Sequence, residues 1–96
     1  MNAQDVLAKL RELKPTIIGR YKVKEISLFG SFVREEQGPS SDIDLLAEFE
    51  DNADLFDLMG LGFYLEEIFQ RPVDIVPKRA LRAELRESIL HQVVTV

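Results

Sequence analysis

The sequence predicts a mixed α/β (α+β) domain in which helices flank a small mixed β-sheet. Two observations support this fold class: segments with apolar residues at helical spacing alternate with short apolar strands, and Gly- or Pro-containing turns separate several of them. A chain of 96 residues has room for one small domain. We therefore expect residues 1–96 to form a single minimal domain.

The N-terminal region is predicted to form two helices. Asn2 is a suitable N-cap, and residues from about 3 to 13 read as an amphipathic helix. Its apolar side chains recur at Val6, Leu7, Leu10 and Leu13. Pro15 is expected to break this helix or to start a new turn, since proline lacks the N–H that continues a helix. A second, short helix is then expected from Pro15 to Tyr21.

The first two strands are separated by a polar turn. A strand from Glu25 to Phe29 leads into Gly30-Ser31, and Ser31 to Glu36 could begin a short helix. Residues 37–41 have the composition of a loop. The second strand is expected from Asp42 to Phe49, so the motif at Gly30 lies at a strand end.

Side chains alternate across the second strand and divide it into two faces. Ile43, Leu45, Ala47 and Phe49 share one face, which is expected to join the core. The opposite face carries Asp42, Asp44, Leu46 and Glu48.

The rest of the chain continues as helix, strand and helix. Asp54 can cap a helix from Leu55 to Phe69, which Pro72 ends. A third strand is expected from Val73 to Val76 and a last helix from Ala80 to Leu90. A β-branched tail at residues 93–96 completes the chain.

Composition and charge exclude several functional classes. The 12 basic and 17 acidic residues give a net charge of −5, which disfavours direct binding of nucleic acid. Cysteine is absent and His91 is the single histidine, so a metal ion would have to be held by oxygen atoms. No apolar run approaches the length of a membrane span, and the first ten residues lack the layout of a signal peptide. We therefore expect a cytoplasmic protein without a membrane partner.

Three aspartates stand in predicted strands at positions where an apolar residue would also fit. Asp42 and Asp44 project on the same side of the second strand, roughly 6 to 7 Å apart at Cβ, and two such anions repel unless a cation lies between them. Asp74 has the same parity in the third strand and could join the pair. Mg²⁺ suits three carboxylates because it takes oxygen ligands, keeps several waters and commonly bridges to phosphates.

The turn after the first strand is a candidate phosphate site. Gly30 has no Cβ, so a phosphate can approach the backbone, and Ser31 adds a hydroxyl and an N–H at an expected helix start. Arg34 could neutralise phosphate charge through its bidentate guanidinium, or instead pair with a neighbouring glutamate. Lys78 and Arg79 are weaker candidates for the same task.

At this point the sequence resembles a known family. The pair Gly30-Ser31, a gap of ten residues and Asp42-Ile43-Asp44 look like the motif of DNA polymerase β-type nucleotidyltransferases. The short chain is similar to the minimal nucleotidyltransferase (MNT) proteins, from about residue 7 to residue 96. The resemblance implies the polymerase β-like nucleotidyltransferase fold. It also implies two Mg²⁺ ions and ATP at a site where Asp74 is the third carboxylate.

The resemblance further implies a partner and a reaction. Many members of the family are MntA-like antitoxins that pair with a HEPN-domain ribonuclease toxin and transfer AMP from ATP to a toxin tyrosine. One residue departs from the pattern: Glu35 stands where many relatives have glycine after the arginine. This departure favours the alternative of a degenerate, non-catalytic module that neutralises a partner by contact. A base-reading polymerase fragment fits poorly with the acidic charge.

The predicted helix from Leu55 to Phe69 has apolar positions spread more widely than one core stripe requires. Some of Phe56, Leu61, Phe63 and Tyr64 are therefore expected to face outward. Exposed contiguous apolar patches usually mark association sites, so this helix could contact a partner protein or a second copy. Gly60 and Gly62 would permit a close approach.

Overall fold

The computed structural model describes residues 1–32 and 42–96, and these form helices around a four-stranded sheet. The α-helices are α1 (Ala3–Tyr21), α2 (Leu55–Phe69) and α3 (Ala83–Leu90). The strands are β1 (Val23–Phe29), β2 (Ile43–Phe49), β3 (Val73–Pro77) and β4 (Val94–Thr95). Short 3₁₀ turns follow β1 at Gly30–Phe32 and β3 at Lys78–Ala80. The predicted fold class is confirmed.

The sheet is mixed and has the strand order β3-β2-β1-β4. β1 pairs antiparallel with β2 and with β4, whereas β2 and β3 are parallel. Parallel strands need a crossover connection, and α2 supplies it between β2 and β3. β2 and β3 therefore run in the same direction, and their candidate site residues lie near the N-terminal ends of both strands.

The N-terminal region is one helix, so the prediction of two helices was wrong. Asn2 and Asp5 form a reciprocal capping box, with N–H to carboxylate or amide oxygen distances of 3.1 and 3.0 Å. Pro15 lies inside α1 on its exposed side. Its missing N–H costs one helical hydrogen bond. Because Leu10 before it and Ile17 after it are both fully buried, core packing keeps the helix continuous.

One face of the sheet, here called the core face, packs against α1 and α2. Ile43, Leu45 and Ala47 are buried on it, as the strand parity predicted, and Phe49 is partly buried against the same cluster. The helices and the other strands contribute further buried residues, among them Val6, Leu7, Leu10, Ile17, Ile26, Leu28, Leu61, Leu65, Phe69 and Val73.

The prediction that some of the four candidate side chains of α2 face outward is confirmed. Phe56 and Phe63 are exposed, whereas Leu61 is fully buried. Tyr64 is partly buried, and its ring centroid lies 5.5 Å from that of Tyr21 in α1. The bounds of α2 and its cap are confirmed, since Asp54 caps the helix through a second capping box with Asp57.

The last helix begins later than predicted. Leu81 and Arg82 have extended backbone, with ψ of 130° and 143°, and separate the 3₁₀ turn from α3. No side chain of α3 is buried. In the part of the chain that the structure describes, no helix is both long and apolar enough to cross a membrane.

Candidate active site

The three predicted aspartates lie on the sheet face opposite the core face, here called the carboxylate face. In the parallel register of β2 and β3, Asp44 stands directly opposite Asp74. Neighbouring strands are about 4.8 Å apart, so residues in register carry their side chains side by side. The register thus places Asp74 beside Asp44, as its parity indicated. The role of these side chains as metal ligands stays a prediction.

Asp42 lies immediately before β2 and belongs to the same face by alternation. The backbone N–H of Ile43 donates a 3.0 Å hydrogen bond to the carbonyl of Pro72, which ties the start of β2 to the residue before β3. Asp42 and Asp74 are exposed, whereas Asp44 is partly buried. Solvent therefore reaches all three positions, and Asp44 is the most enclosed of them.

The structure gives a reason for glycine at position 30 that the sequence did not reveal. It follows β1 with φ of 80°, a left-handed conformation that favours glycine. A Cβ at this position would lie 3.0 Å from Cβ and Cγ of Asp44, and closer still to its Oδ2. Asp44 therefore packs against Gly30 on one side and stands in register with Asp74 on the other. Gly30 leaves the space in which the Asp44 carboxylate sits.

The phosphate side of the site is described only in part. The backbone of Ser31 belongs to the 3₁₀ turn Gly30–Phe32, which agrees with a turn after the first strand. The Ser31 side chain, Arg34 and Glu35 lie outside what the structure describes. Lys78, by contrast, pairs with Glu48 at 3.5 Å, at the far end of β2 from Asp42.

Glu66 connects α2 to β3, a contact that sequence reasoning missed. Its carboxylate oxygen Oε2 accepts a 3.0 Å hydrogen bond from the backbone N–H of Val73, the first residue of β3. This bond links the last turn of α2 to the strand that carries Asp74. The available signal for this contact in the sequence was an acidic residue in the last turn of a helix, seven positions before a predicted strand.

The carboxylate face changes character beyond Asp44. Leu46, two residues further along β2, is buried and lines a small cavity together with Leu90 and Val93 of the C-terminal segment. The cavity left there measures about 30 Å³, which accommodates little more than water. A nucleotide would therefore lie over the open end of the face, where the aspartates are.

The donor chemistry of this open end fits a divalent cation. Like charges directly opposite each other on neighbouring strands are destabilising, and a cation relieves that repulsion. Among residues 1–32 and 42–96, no group of three or more His, Cys, Asp or Glu is arranged as a complete metal centre. Mg²⁺ typically uses only one or two carboxylates and completes its shell with waters and substrate phosphates. Asp44 with Asp74 or Asp42 suffices for that kind of site.

The fold, with paired carboxylates at the start of β2, is that expected of a nucleotidyltransferase. A model of the nucleotidyltransferase domain matches residues 9–95, so the chain belongs to this family. The predicted class of enzyme and the resemblance to the MNT proteins are confirmed.

Two relatives align with nearly the whole chain. The protein adenylyltransferase MntA of Thermococcus cleftensis is 33% identical over 96 residues, which cover 100% of this chain and 97% of the relative. A protein of Methanocaldococcus jannaschii, provisionally named a protein adenylyltransferase, is 37% identical over 86 residues, or 90% of this chain and 91% of that one.

Solved structures share the fold. One described provisionally as a minimal nucleotidyltransferase has a TM-score of 0.85 and 33% identity, covering 100% of this chain and 97% of that one. A toxin–antitoxin crystal structure with AMP-PNP has a TM-score of 0.70 and 26% identity, covering 99% and 72%. A chain in the complex of a tri-AMPylated Shewanella oneidensis HEPN toxin with an MNT antitoxin gives 0.65 and 25%, covering 92% and 66%.

Proposed function

We propose that this chain is a Mg²⁺-dependent protein adenylyltransferase that moves AMP from ATP to a tyrosine hydroxyl of a partner protein. The observation that carries the proposal is the register of Asp44 with Asp74 beside Gly30, in a chain of the nucleotidyltransferase family. The relatives named protein adenylyltransferase support AMP as the transferred group. The neighbour with AMP-PNP supports a nucleotide triphosphate as its donor.

The proposed partner is a HEPN-domain toxin, with this chain as its antitoxin. The support is the fold shared with toxin–antitoxin complexes, one of which contains an AMPylated HEPN toxin. Residues 1–96 act in this proposal as a single minimal domain in the cytoplasm, where ATP is available. In this proposal, specificity for the acceptor comes from docking of the partner protein.

The proposed reaction is an in-line displacement at the α-phosphate of ATP. The acceptor oxygen forms a bond to the α-phosphorus, the bond from that phosphorus to the bridging oxygen breaks, and pyrophosphate leaves with the bond electrons. Asp42 and Asp44 would hold Mg²⁺, and Asp74 would be a further ligand or, when not bound to the metal, the acceptor of the hydroxyl proton. Bound Mg²⁺ supplies neutralisation of the phosphate charge.

The chain's other candidate residues orient the donor. Gly30 and Ser31 hold the β- and γ-phosphates, and Arg34 neutralises their charge in this proposal. Orientation matters because in-line attack requires the acceptor and the leaving group to lie on opposite sides of the phosphorus. Replacement of Ser31 by alanine is therefore expected to raise the ATP concentration needed for half-maximal transfer, with the melting temperature unchanged.

A labelling experiment tests the proposal. Lysate of the source cell is incubated with Mg²⁺ and either α-labelled or γ-labelled ATP, together with the wild-type chain or the Asp42→Asn/Asp44→Asn variant. We expect a protein band that gains α-label with the wild-type chain but not with the variant. The same band should gain no γ-label beyond what the kinases of the lysate produce in both reactions. Mass spectrometry of the labelled band identifies the acceptor and the modified residue. Equal α-labelling by a folded double variant would exclude these aspartates from the chemistry.

A non-catalytic binding module is the second candidate function. It is favoured by the exposure of Phe56 (81%) and Phe63 (66%) on α2. Under this alternative, the double aspartate variant still neutralises a co-expressed toxin, whereas Phe63→Ser does not. Under the adenylyltransferase proposal, the aspartate variant loses neutralisation. Growth of cells that co-express toxin and variant separates the two.

A further inference from the structure

The exposed face of α2 presents an apolar stripe. Leu55, Phe56, Met59 and Phe63 are all exposed and recur at spacings of three or four residues, so they line one side of the helix. Such a stripe on a small domain exceeds the scattered single apolar residues that a surface normally carries. It indicates a surface that another molecule covers.

Phe63 stands between two open hollows. The first, here called the α2 groove, measures about 200 Å³ and is lined by Met59, Gly62, Phe63, Glu66 and Val73. The second, on the other side of the Phe63 ring, measures about 330 Å³. It is lined by Arg20, Tyr21, Gly60, Phe63, Tyr64 and Glu67. A ridge with a hollow on each side is a shape that can receive side chains of a docked segment.

Gly62 keeps the α2 groove open. A Cβ at Gly62 would meet no atom of the described residues within 4 Å, beyond its own helix turn, whereas one at Gly60 would lie 3.1 Å from the Tyr21 ring. Packing within the described chain therefore explains Gly60 but not Gly62. Glycine inside a helix costs about 1 kcal/mol relative to alanine. Close approach of another molecule to the helix backbone at Gly62 would explain why glycine is kept there despite this cost.

The charge around the stripe distinguishes between possible occupants. α2 and its cap carry Asp54, Asp57, Glu66 and Glu67, and α2 contains no lysine or arginine. Asp57 is paired with Lys22 at 3.6 Å. The charged residues that line the two hollows are Glu66, Glu67 and Arg20, so Arg20 offsets one of the acids. With Asp54 added, the face keeps a negative balance, and two copies of it would repel each other. A protein segment with lysine or arginine beside its apolar residues is complementary to it.

The α2 groove also reaches the catalytic edge of the sheet. Val73, at one end of the groove, directly precedes Asp74 in the chain. β3 lies at the edge of the described sheet. Val73 faces α2, whereas Asp74 lies on the opposite face of the sheet, so a protein held in the groove lies beside the β3 edge and reaches the carboxylate face around that edge.

We propose that the α2 groove and the adjoining stripe form the docking surface for the acceptor protein, which contacts them through an amphipathic helix flanked by lysine or arginine. Helices commonly dock in this way, with apolar anchors spaced three to four residues apart in a groove. The identification of the docked protein as the acceptor rests on the proposed function. The proposal that the surface binds a basic amphipathic helix does not depend on that function.

A peptide titration tests the docking chemistry without catalysis. Two synthetic helical peptides share leucines at one face and differ only in flanking lysines or glutamates. They are titrated into the full chain as wild type, Phe63→Ser, Met59→Ser and Leu85→Ser, with binding read by fluorescence anisotropy. Leu85 is the matched control, since it is 48% exposed on α3, away from the groove. Circular dichroism checks that every variant is folded.

We expect the lysine peptide to bind the wild type and Leu85→Ser equally. Phe63→Ser removes one apolar anchor and is expected to weaken binding of the lysine peptide about tenfold. Met59→Ser is expected to weaken it in the same way. The glutamate peptide should bind at least tenfold more weakly than the lysine peptide. Equal lysine-peptide binding by Phe63→Ser and wild type, or no binding by wild type, overturns the proposal.

Two further measurements separate the occupants and the functions. In sedimentation, a wild-type dimer that Phe63→Ser abolishes and Leu85→Ser retains would assign the face to a second copy and overturn the proposal. In the α-label assay, Phe63→Ser should lower acceptor labelling about tenfold, with Mg·ATP affinity unchanged. Normal labelling by Phe63→Ser overturns the acceptor assignment. Absence of any wild-type label counts against the proposed function, while the peptide titration still decides the docking chemistry.

Discussion

The two faces of the sheet differ although the same strands build them. On β2, Ile43 and Leu45 are fully buried against the helices, while Asp44 between them lies on the carboxylate face, in register with Asp74. Strand alternation thus assigns neighbouring residues to separate tasks. Packing on the core face stabilises the strand, and the opposite face is left to carry charge. Substitutions one position apart should therefore affect different properties.

The largest expected effect is on the carboxylate face. Asp44→Asn removes a charge from the open end of the sheet and, in the proposed mechanism, a ligand whose charge stabilisation is worth several kcal/mol. We expect AMP transfer to fall on the order of 10³-fold, measured as the initial rate of α-label incorporation. Thermal melting followed by circular dichroism checks that the variant is folded at the assay temperature. A folded variant with a normal rate of AMP transfer would show that the carboxylate face does not carry the chemistry.

Leu45→Ala tests the core face one residue away. Truncating a fully buried leucine leaves a cavity, and the expected loss is about 2 to 5 kcal/mol in the free energy of unfolding. Urea denaturation followed by circular dichroism measures it. Under conditions where the variant is folded, its Mg·ATP affinity should match the wild type. A selective loss of nucleotide affinity without destabilisation would show that the faces are not separate.

Gly30→Ala tests the boundary between the faces, where stability and chemistry meet. An alanine with φ of 80° is strained, and its Cβ would press on Asp44, so we expect a loss of about 1 to 3 kcal/mol in unfolding free energy. AMP transfer should fall as well, because the Asp44 side chain must move. Gly19→Ala is the matched control, since a Cβ there meets nothing within 4 Å among the described residues. Equal stability of Gly30→Ala and Gly19→Ala would refute the packing argument.

Gly62→Ala has the smallest expected effect and the opposite sign. Alanine is the better helix former and meets open space at this position, so the unfolding free energy should rise by about 0.5 to 1 kcal/mol. The added methyl group also narrows the α2 groove, so the lysine peptide should bind more weakly. If Gly62→Ala is stabilised but binds the lysine peptide as tightly as the wild type, the peptide does not contact the helix at position 62. Urea denaturation and anisotropy measure the two effects.

Local signals predicted much of this fold. The bounds of α2 follow from Asp54 as a cap and from Pro72 beyond its end. The two faces of β2 follow from alternation alone. The continuity of α1 through Pro15 could not be predicted in this way, because burial of Leu10 and Ile17 against distant strands decides it.

The candidate site was predictable in its residues and only partly in its arrangement. Parity placed Asp42, Asp44 and Asp74 on one face. The contact between Gly30 and Asp44 depends on how β1 pairs with β2, and such pairing between distant segments leaves no local pattern. The bond from Glu66 to Val73 was hidden for a similar reason, since it joins the end of one element to the start of another.

That bond has a thermodynamic consequence. Glu66 belongs both to the groove on α2 and, through the N–H of Val73, to the strand beginning one residue before Asp74. A ligand in the groove that moves Glu66 would strain or break this bond to β3. Under the proposed function, occupation of the groove and affinity for ATP would then be coupled, and each would change the other by the same factor.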